Sequence, residues 1–261
     1  LDQEFIEEIG NGDRWQHTSR QREILESLKE EARQQGLWNF FLTDGEFGCG
    51  LSTVDYAWIA EATGHSYLAA EIFNCSAPDT GNMEVLNKYG NDAQKDRWLM
   101  PLLNGEIRSA YAMTEPGEAS SDATNISMRA ELFEGQSCIN GEKTYISGAG
   151  DPRCKILICM VKTDPQAARH QQHSQILVPM DAEGVEVLRP MAVFGHDGAP
   201  HGHMHLKLAN VRVPEENIIA GRGRGFEVAQ GRLGPDRIHH VMRAIGMAEK
   251  ALKLMCQRSL S

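Results

Sequence analysis

Three stretches of this sequence hold residue types that could do chemistry. The first runs from Tyr111 to Asp122 (Tyr-Ala-Met-Thr-Glu-Pro-Gly-Glu-Ala-Ser-Ser-Asp) and follows a strand-like segment. It gathers hydroxyls, small residues and a turn-forming Pro-Gly pair. Such a loop can offer backbone donors and Thr or Ser hydroxyls to an anionic or heterocyclic ligand. An ordinary hairpin loop is the competing reading. The second stretch holds His196, His201, His203 and His205. On a strand, positions 201, 203 and 205 share a face, and three imidazoles there could bind zinc. No Asp or Glu follows at a spacing that completes a hydrolytic site, so a polar strand face is preferred and no metal site is assigned. The third is Gly221-Arg-Gly-Arg-Gly225-Phe226, ahead of a helix. Glycine-rich turns can present N–H groups to phosphate, but a dinucleotide fingerprint also needs a parallel strand–turn–helix unit and a later acidic residue, neither visible here.

The elements that must position these stretches change character twice along the 261 residues. The first part is helical. Arg20 to Gln35 carries Ile24, Leu25 and Leu28 on one face and ends at Gly36. Ser52-Thr-Val-Asp55 is a capping box opening a second helix, Asp79 to Tyr89 is a third, and Asn91 to Met100 is a fourth that Pro101 should stop. From about Arg108 short strands follow: 109–113, 126–133, 137–147, 155–162, 174–179, 185–189 and 203–213. Glu134-Gly135 and Asn140-Gly141 are the hairpin-type turns. With no helices alternating among them, a parallel sheet is not expected. After Pro214 the glycine loop leads to a long helix, with apolar residues at 238, 241, 242, 245, 248, 252 and 255. The expected fold is therefore α+β and multi-domain. An N-terminal helical bundle covers 1–108, a central antiparallel β-barrel or sandwich 109–218, and the start of a C-terminal helical bundle 219–261. The last helix runs without a Gly or Pro terminator, so the sequence reads as incomplete at its C-terminal side.

Composition excludes several classes. The 41% hydrophobic fraction supports a packed core. Twenty-six basic against 36 acidic residues give a net charge of −10, which disfavours nucleic-acid binding. The longest apolar run, Ile156 to Val161, is far too short to span a membrane. Six cysteines without a C-x-x-C pair or a regular framework point to a soluble protein of a reducing compartment: cytoplasm in a bacterium, mitochondrion or peroxisome in a eukaryote.

The loop from Thr114 resembles the Thr-Glu-Pro-Gly-x-Gly-Ser-Asp signature of the acyl-CoA dehydrogenase family. A second family segment is similar to Asn140-Gly-Glu-Lys-Thr-Tyr-Ile-Ser147. Others match Val211-Arg-Val-Pro214, Gly223-Arg-Gly-Phe226 and Leu233-Gly-Pro-Asp-Arg237. Asn74-Cys-Ser-Ala-Pro-Asp-Thr-Gly-Asn82, and the extra residue in Ala119-Ser-Ser-Asp122, resemble the branch that in vertebrates is sometimes fused to a kinase-like domain.

The resemblance implies an FAD-dependent oxidoreductase of fatty acid β-oxidation and lipid metabolism that converts an acyl-CoA thioester to its trans-2-enoyl form. Its likeness further implies an electron-transfer flavoprotein as acceptor and a dimer or tetramer of identical chains. On matched positions, Tyr111, Met113, Thr114, Ser120, Ser121, Tyr145, Ile146 and Ser147 would hold the cofactor. Met113 would contact the flavin through its backbone and Thr114 through its hydroxyl. Tyr145 stands where the family usually has Trp, and Ser147 where it usually has Thr near flavin N5. Ser121, Gly234, Pro235, Asp236 and Arg237 would meet the substrate. Most members carry the catalytic base later than this sequence extends; a minority place it at the position of Asp236, which alternatively complements the helix macrodipole. The rival from another class is a flavin-free acyl-CoA or partner-binding remnant of the same fold.

Overall fold

The computed structural model describes residues 2–8 and 13–260, in two compact units. One is helical and comprises the chain up to Gly81 together with the part from Leu233 onward; the other, Asn82–Arg232, is built around a sheet.

In the helical unit, α1 (Asp2–Glu7) sets Phe5 into a cluster with Ile24 and Leu25 of α2 (Ser19–Gln34) and with Leu68. Thr18 and Gln21 form a capping box that starts α2, and Gly36, at φ +70°, ends it where expected. The Ser52/Asp55 capping box opens α3 (Thr53–Thr63) as read from the sequence. A short α4 (Ala69–Ile72) brings Glu71 to the buried Lys29, 3.2 Å away, so the charge that α2 turns inward is paired.

The last helix, α8 (Gly225–Ser259), starts well before Ile238 and carries Pro235 inside it. Its part in the helical unit passes very close to the end of α3: a Cβ on Gly246 would overlap the Glu61 carbonyl oxygen, and one on Gly64 the Arg243 carbonyl oxygen. Lys250 adds a 2.7 Å bond to the His65 carbonyl. An alanine in a helix is ordinarily about 1 kcal/mol better than glycine. At Gly246 the overlap reverses the sign, and Gly246→Ala should lower stability by about 1–3 kcal/mol, read as a reduced urea midpoint. Ile238, Val241, Ile245, Leu252 and Met255 remain exposed on α8.

The strand unit opens with the main part of α5 (Asp79–Tyr89), then α6 (Asp92–Gln94), a π-helical turn (Lys95–Leu99) and α7 (Met100–Leu103). Pro101 does not stop this run. In the wide turn Met100 N–H bonds Lys95 O, five residues back, and Pro101 falls in the first turn of α7, where its missing N–H costs little.

Seven strands follow: β1 (Arg108–Ala112), β2 (Arg129–Phe133), β3 (Gln136–Ser147), β4 (Cys154–Lys162), β5 (His173–Pro179), β6 (Val185–Pro190) and β7 (His203–Pro214). Their order is β1-β4-β2-β3-β7-β6, with β5 on β4. The α+β class holds, but the sheet is mixed rather than antiparallel. β1 runs parallel to β4, Ala110 opposite Leu157, and β2 touches β4 in the same sense at Arg129 and Lys162. Parallel neighbours need a crossover of a dozen or more residues, and here the β2–β3 hairpin supplies it in place of a helix. The apolar run Ile156–Val161 is buried throughout, as a strand covered on both faces must be.

Two other expectations change. Glu134 and Gly135, both at positive φ, make the hairpin turn, whereas Asn140-Gly141 lies inside β3 opposite a bulge of β7, where Ala209 and Asn210 (φ +53°) face the single Asn140; Gly141, at φ +147°, lies against Met128. The strand expected from Ile126 starts only at Arg129, because the N–H groups of Ser127 and Met128 bond a carboxylate instead of a neighbouring strand.

Candidate functional site

That carboxylate belongs to Glu115, second residue of the loop after Met113. It accepts from Ser127 N (2.8 Å), Ser127 Oγ (2.7 Å), Met128 N (2.9 Å) and Lys143 Nζ (2.8 Å). Lys143 is fully buried on β3 and spends its other donors on Met113 O (2.9 Å) and Met160 O (2.7 Å). Burial pushes the Glu115 pKa up, but Lys143 and Ser127 outweigh it and hold the group below the usual carboxylate range. One ion pair thus fastens the loop to β3, to β4 and to the segment ahead of β2.

Ser120 closes the loop from the other side: its Oγ accepts from Glu115 N (3.0 Å) and donates to Glu118 O (3.2 Å). Asp122 accepts from Thr124 N, Thr124 Oγ1 and Arg169 Nη2. The Thr124 bonds, then Arg169, hold its carboxyl below the ordinary range. With these groups committed, the loop leaves the Thr114 and Ser121 side chains exposed.

Thr144 N donates to Thr114 O (2.9 Å), which sets the exposed Thr114 beside β3 near Tyr145. Tyr145 is itself 47% exposed and sits at φ +55°, an uncommon backbone for a bulky residue. The Ile146 side chain is buried in the core, so only its main chain remains to face a ligand. Ser147 follows half-buried, its Oγ 2.8 Å from His203 Nδ1. The structure therefore sets the loop of Met113, Thr114 and Ser120 against β3 next to Tyr145, with Ser147 two residues further along that strand. Tyr111 has other company: its hydroxyl accepts from Gln175 Nε2 (2.8 Å), and the Arg232 guanidinium lies 4.1 Å over its ring.

Sequence reading gives Glu115 and Lys143 no role of their own and weighs His203 only as a zinc ligand. Lys143 alone left a signal, a lysine inside a strand-like run; its burial depends on a partner 28 residues away.

The three strand-face histidines do not converge. His201 Nδ1 lies 2.7 Å from Asp151, which also binds Arg153; His203 meets Ser147; His205 Nε2 is 2.9 Å from Glu142. Burial raises the Asp151 pKa, but His201 and Arg153 drive it well below the ordinary range. Among the described residues no group of three or more ligating side chains could hold a metal ion. The glycine-rich segment borders a polar cleft of about 460 Å³ with Thr163, Asp164, Ala167 and Gln171 opposite Arg222, Gly223 and Arg224. Gly225 lies so close to the His173 and Ser174 backbone that no Cβ would fit.

In the helical unit, Asp236 is buried at the start of its part of α8, with His240 Nε2 3.7 Å from its carboxylate. Gly234 and Arg237 are exposed and Pro235 is half-buried. One turn on, His239 is buried edge-on to Tyr56 (ring centroids 4.7 Å apart) and near Phe41 (6.3 Å). Neither ring nitrogen has a hydrogen-bond partner among the described residues. Burial, with help from Arg243 and His240, lowers its pKa to about 4 against the pull of Asp236.

Comparison with known proteins adds to this geometry. Residues 3–106 match the family model "Acyl-CoA dehydrogenase, N-terminal domain", and residues 110–209 match "Acyl-CoA dehydrogenase, middle domain". The chain is 54% identical to mouse acyl-CoA dehydrogenase family member 10 over 100% of its own length and 24% of that protein's. It is 52% identical to mouse acyl-CoA dehydrogenase family member 11 over 98% and 32%. The solved structure of a putative acyl-CoA dehydrogenase from Mycobacterium abscessus superposes with a TM-score of 0.91 at 49% identity, covering 98% of this chain and 63% of that one. The chain thus spans about a quarter to a third of these two curated relatives. Among the described residues no helix is long and apolar enough to cross a membrane.

Proposed function

The chain belongs to the acyl-CoA dehydrogenase family, and from that premise we propose that the protein holds FAD against the Thr114–Tyr145–Ser147 surface and oxidises an acyl-CoA thioester to its trans-2-enoyl form. The observation that carries this reading is the surface itself: an exposed hydroxyl at Thr114, an exposed ring at Tyr145 and a half-buried hydroxyl at Ser147, on two segments locked by Glu115 and Lys143. A planar heterocycle needs such a wall, flat, partly apolar and with few polar groups at fixed places. FAD when bound supplies the acceptor for the hydride leaving the β-carbon.

The residues of this chain have separate tasks. Thr114 Oγ1 and the main chain of Met113 would bind and orient the isoalloxazine edge. The Tyr145 ring would cover it and keep water away. Removal of the α-proton needs a carboxylate; Asp236, buried in the helical unit, is the candidate within this sequence. An electron-transfer flavoprotein as acceptor and assembly into a homo-oligomer belong to the same reading.

The test is the visible spectrum of the purified full-length protein. Bound oxidised flavin, bleached by an acyl-CoA, is the expected result. A colourless protein that binds acyl-CoA without turnover would favour the flavin-free reading. Thr114→Ala/Ser121→Ala should weaken flavin retention. If Asp236 is the base, Asp236→Asn should keep flavin and lose most of kcat, since general-base catalysis contributes about 10²–10⁴-fold. Unchanged turnover would remove Asp236 from the mechanism.

A further inference from the structure

Ser147 and His203 are register partners across β3 and β7, with Ser147 Oγ and His203 Nδ1 2.8 Å apart. The contact is framed on every side. Gly148 N bonds Gly202 O (2.9 Å), Gly150 N bonds His201 O (2.9 Å), and Met191 N bonds His203 O (2.7 Å). Gly198, at φ +73°, leaves the Nε2 edge of the imidazole clear; a Cβ there would stand 3.3 Å from that nitrogen. We propose that His203 is a positioning residue: it fixes the direction of the Ser147 hydroxyl toward the flavin and lets that one hydroxyl serve both redox forms. The proposal rests on the FAD reading above.

The physical need is rotational. Threonine is stiff at χ1 because two heavy atoms branch from Cβ, whereas serine turns freely and must be held by a partner. An imidazole nitrogen also has a property a carbonyl lacks, since it can accept or donate. When Nδ1 accepts, the hydroxyl proton points at His203 and Oγ offers lone pairs outward, to an N–H such as reduced flavin presents at N5. When Nδ1 donates to Oγ, the hydroxyl proton is released outward, to an acceptor such as the unprotonated N5 of oxidised flavin. No bond to carbon is made or broken: the half-buried imidazole changes tautomer, giving up one proton to solvent at Nε2 and taking one from solvent at Nδ1, and the polarity of the two hydrogen bonds reverses with it.

The experiment measures the flavin midpoint potential and visible spectrum of the full-length flavin-loaded protein as wild type, His203→Leu and His203→Leu/Ser147→Thr. His203→Leu should change the ratio of affinities for oxidised and reduced flavin about tenfold, a shift of about 30 mV for a two-electron couple. Ser147→Thr in that background should recover most of it, because the β-branch replaces the lost partner; a packing role for His203 would give no such rescue. If His203→Leu fails to fold, His203→Asn is measured instead, with a smaller shift than the scale of about 30 mV expected for the full loss of the imidazole and with the same rescue by Ser147→Thr. A potential and spectrum unchanged in the folded variant, or a shift that threonine does not recover, overturns the proposal while leaving FAD binding intact. A wild-type protein that takes up no flavin overturns the FAD reading and this proposal together.

Discussion

Lys143→Met should cost about 3–5 kcal/mol of stability in the strand unit, the range for removing one partner of a buried ion pair. It should abolish flavin uptake as well. The loss comes from what is left behind. Without Nζ, the Glu115 carboxylate keeps its Ser127 and Met128 donors but faces no cation, and the Met113 and Met160 carbonyls each lose a charged donor. A methionine of similar length fills the space, so cavity formation contributes little. The pair separates this account from simple packing. Glu115→Gln alone strands the ammonium, and the double variant Glu115→Gln/Lys143→Met removes both charges. Each single variant should therefore have a much lower urea midpoint than the double, with a coupling of about 2–3 kcal/mol between neighbours in one network. Additive losses in that cycle would mean the charges do not depend on one another. Because the loop carrying Thr114 hangs on this pair, flavin retention should track the urea midpoints across the three variants.

How far the sequence could be read follows from the range of the forces involved. The capping box at Ser52 and Asp55, the stop at Gly36 and the Glu134-Gly135 turn are decided by neighbours within a few residues, and all were legible. Strand-like runs bounded by Gly, Pro, Asn and Asp placed the seven strands, six of them within about a residue of where they lie. Pairing is another matter. The parallel contact of β1 with β4 joins residues more than forty positions apart and leaves no local trace, since β4 is apolar on both faces. Asn140-Gly141 carries the signature of a tight turn but runs on through β3, and the irregularity falls on β7, which bulges at Ala209-Asn210. The same distinction divides the candidate site. Thr114, Tyr145 and Ser147 were legible because they lie in recognisable segments. Lys143 and His203 were not, because a strand lysine reads as solvent-facing and a histidine among histidines reads as a polar face. Only the fold supplies the partners, Glu115 and Ser147, that give them a task.

The other large effect is expected in acid, and it lies in the helical unit. His239 is held neutral among Tyr56, Phe41 and its own helix, with a pKa near 4 against the ordinary 6.5. Above pH 6.5 the imidazole is neutral both folded and unfolded, and it contributes no pH dependence. Between 6.5 and 4 the unfolded chain takes a proton that the folded chain refuses, so stability falls as the pH falls. Below 4 both states are protonated and the loss is complete, at about 3 kcal/mol for a displacement of this size. Urea midpoints at several values between pH 7.5 and 4 should show this decline. His239→Phe should flatten most of it while keeping the edge-on contact with Tyr56. At neutral pH the same substitution should leave stability equal or higher, since it removes two buried ring nitrogens with no partner among the described residues. Buried His173 in the strand unit is displaced in the same direction, so a smaller slope should persist in the variant. A decline as steep in His239→Phe as in the wild type would assign the acid sensitivity elsewhere. Under working conditions the consequence is a neutral ring one helical turn from Asp236.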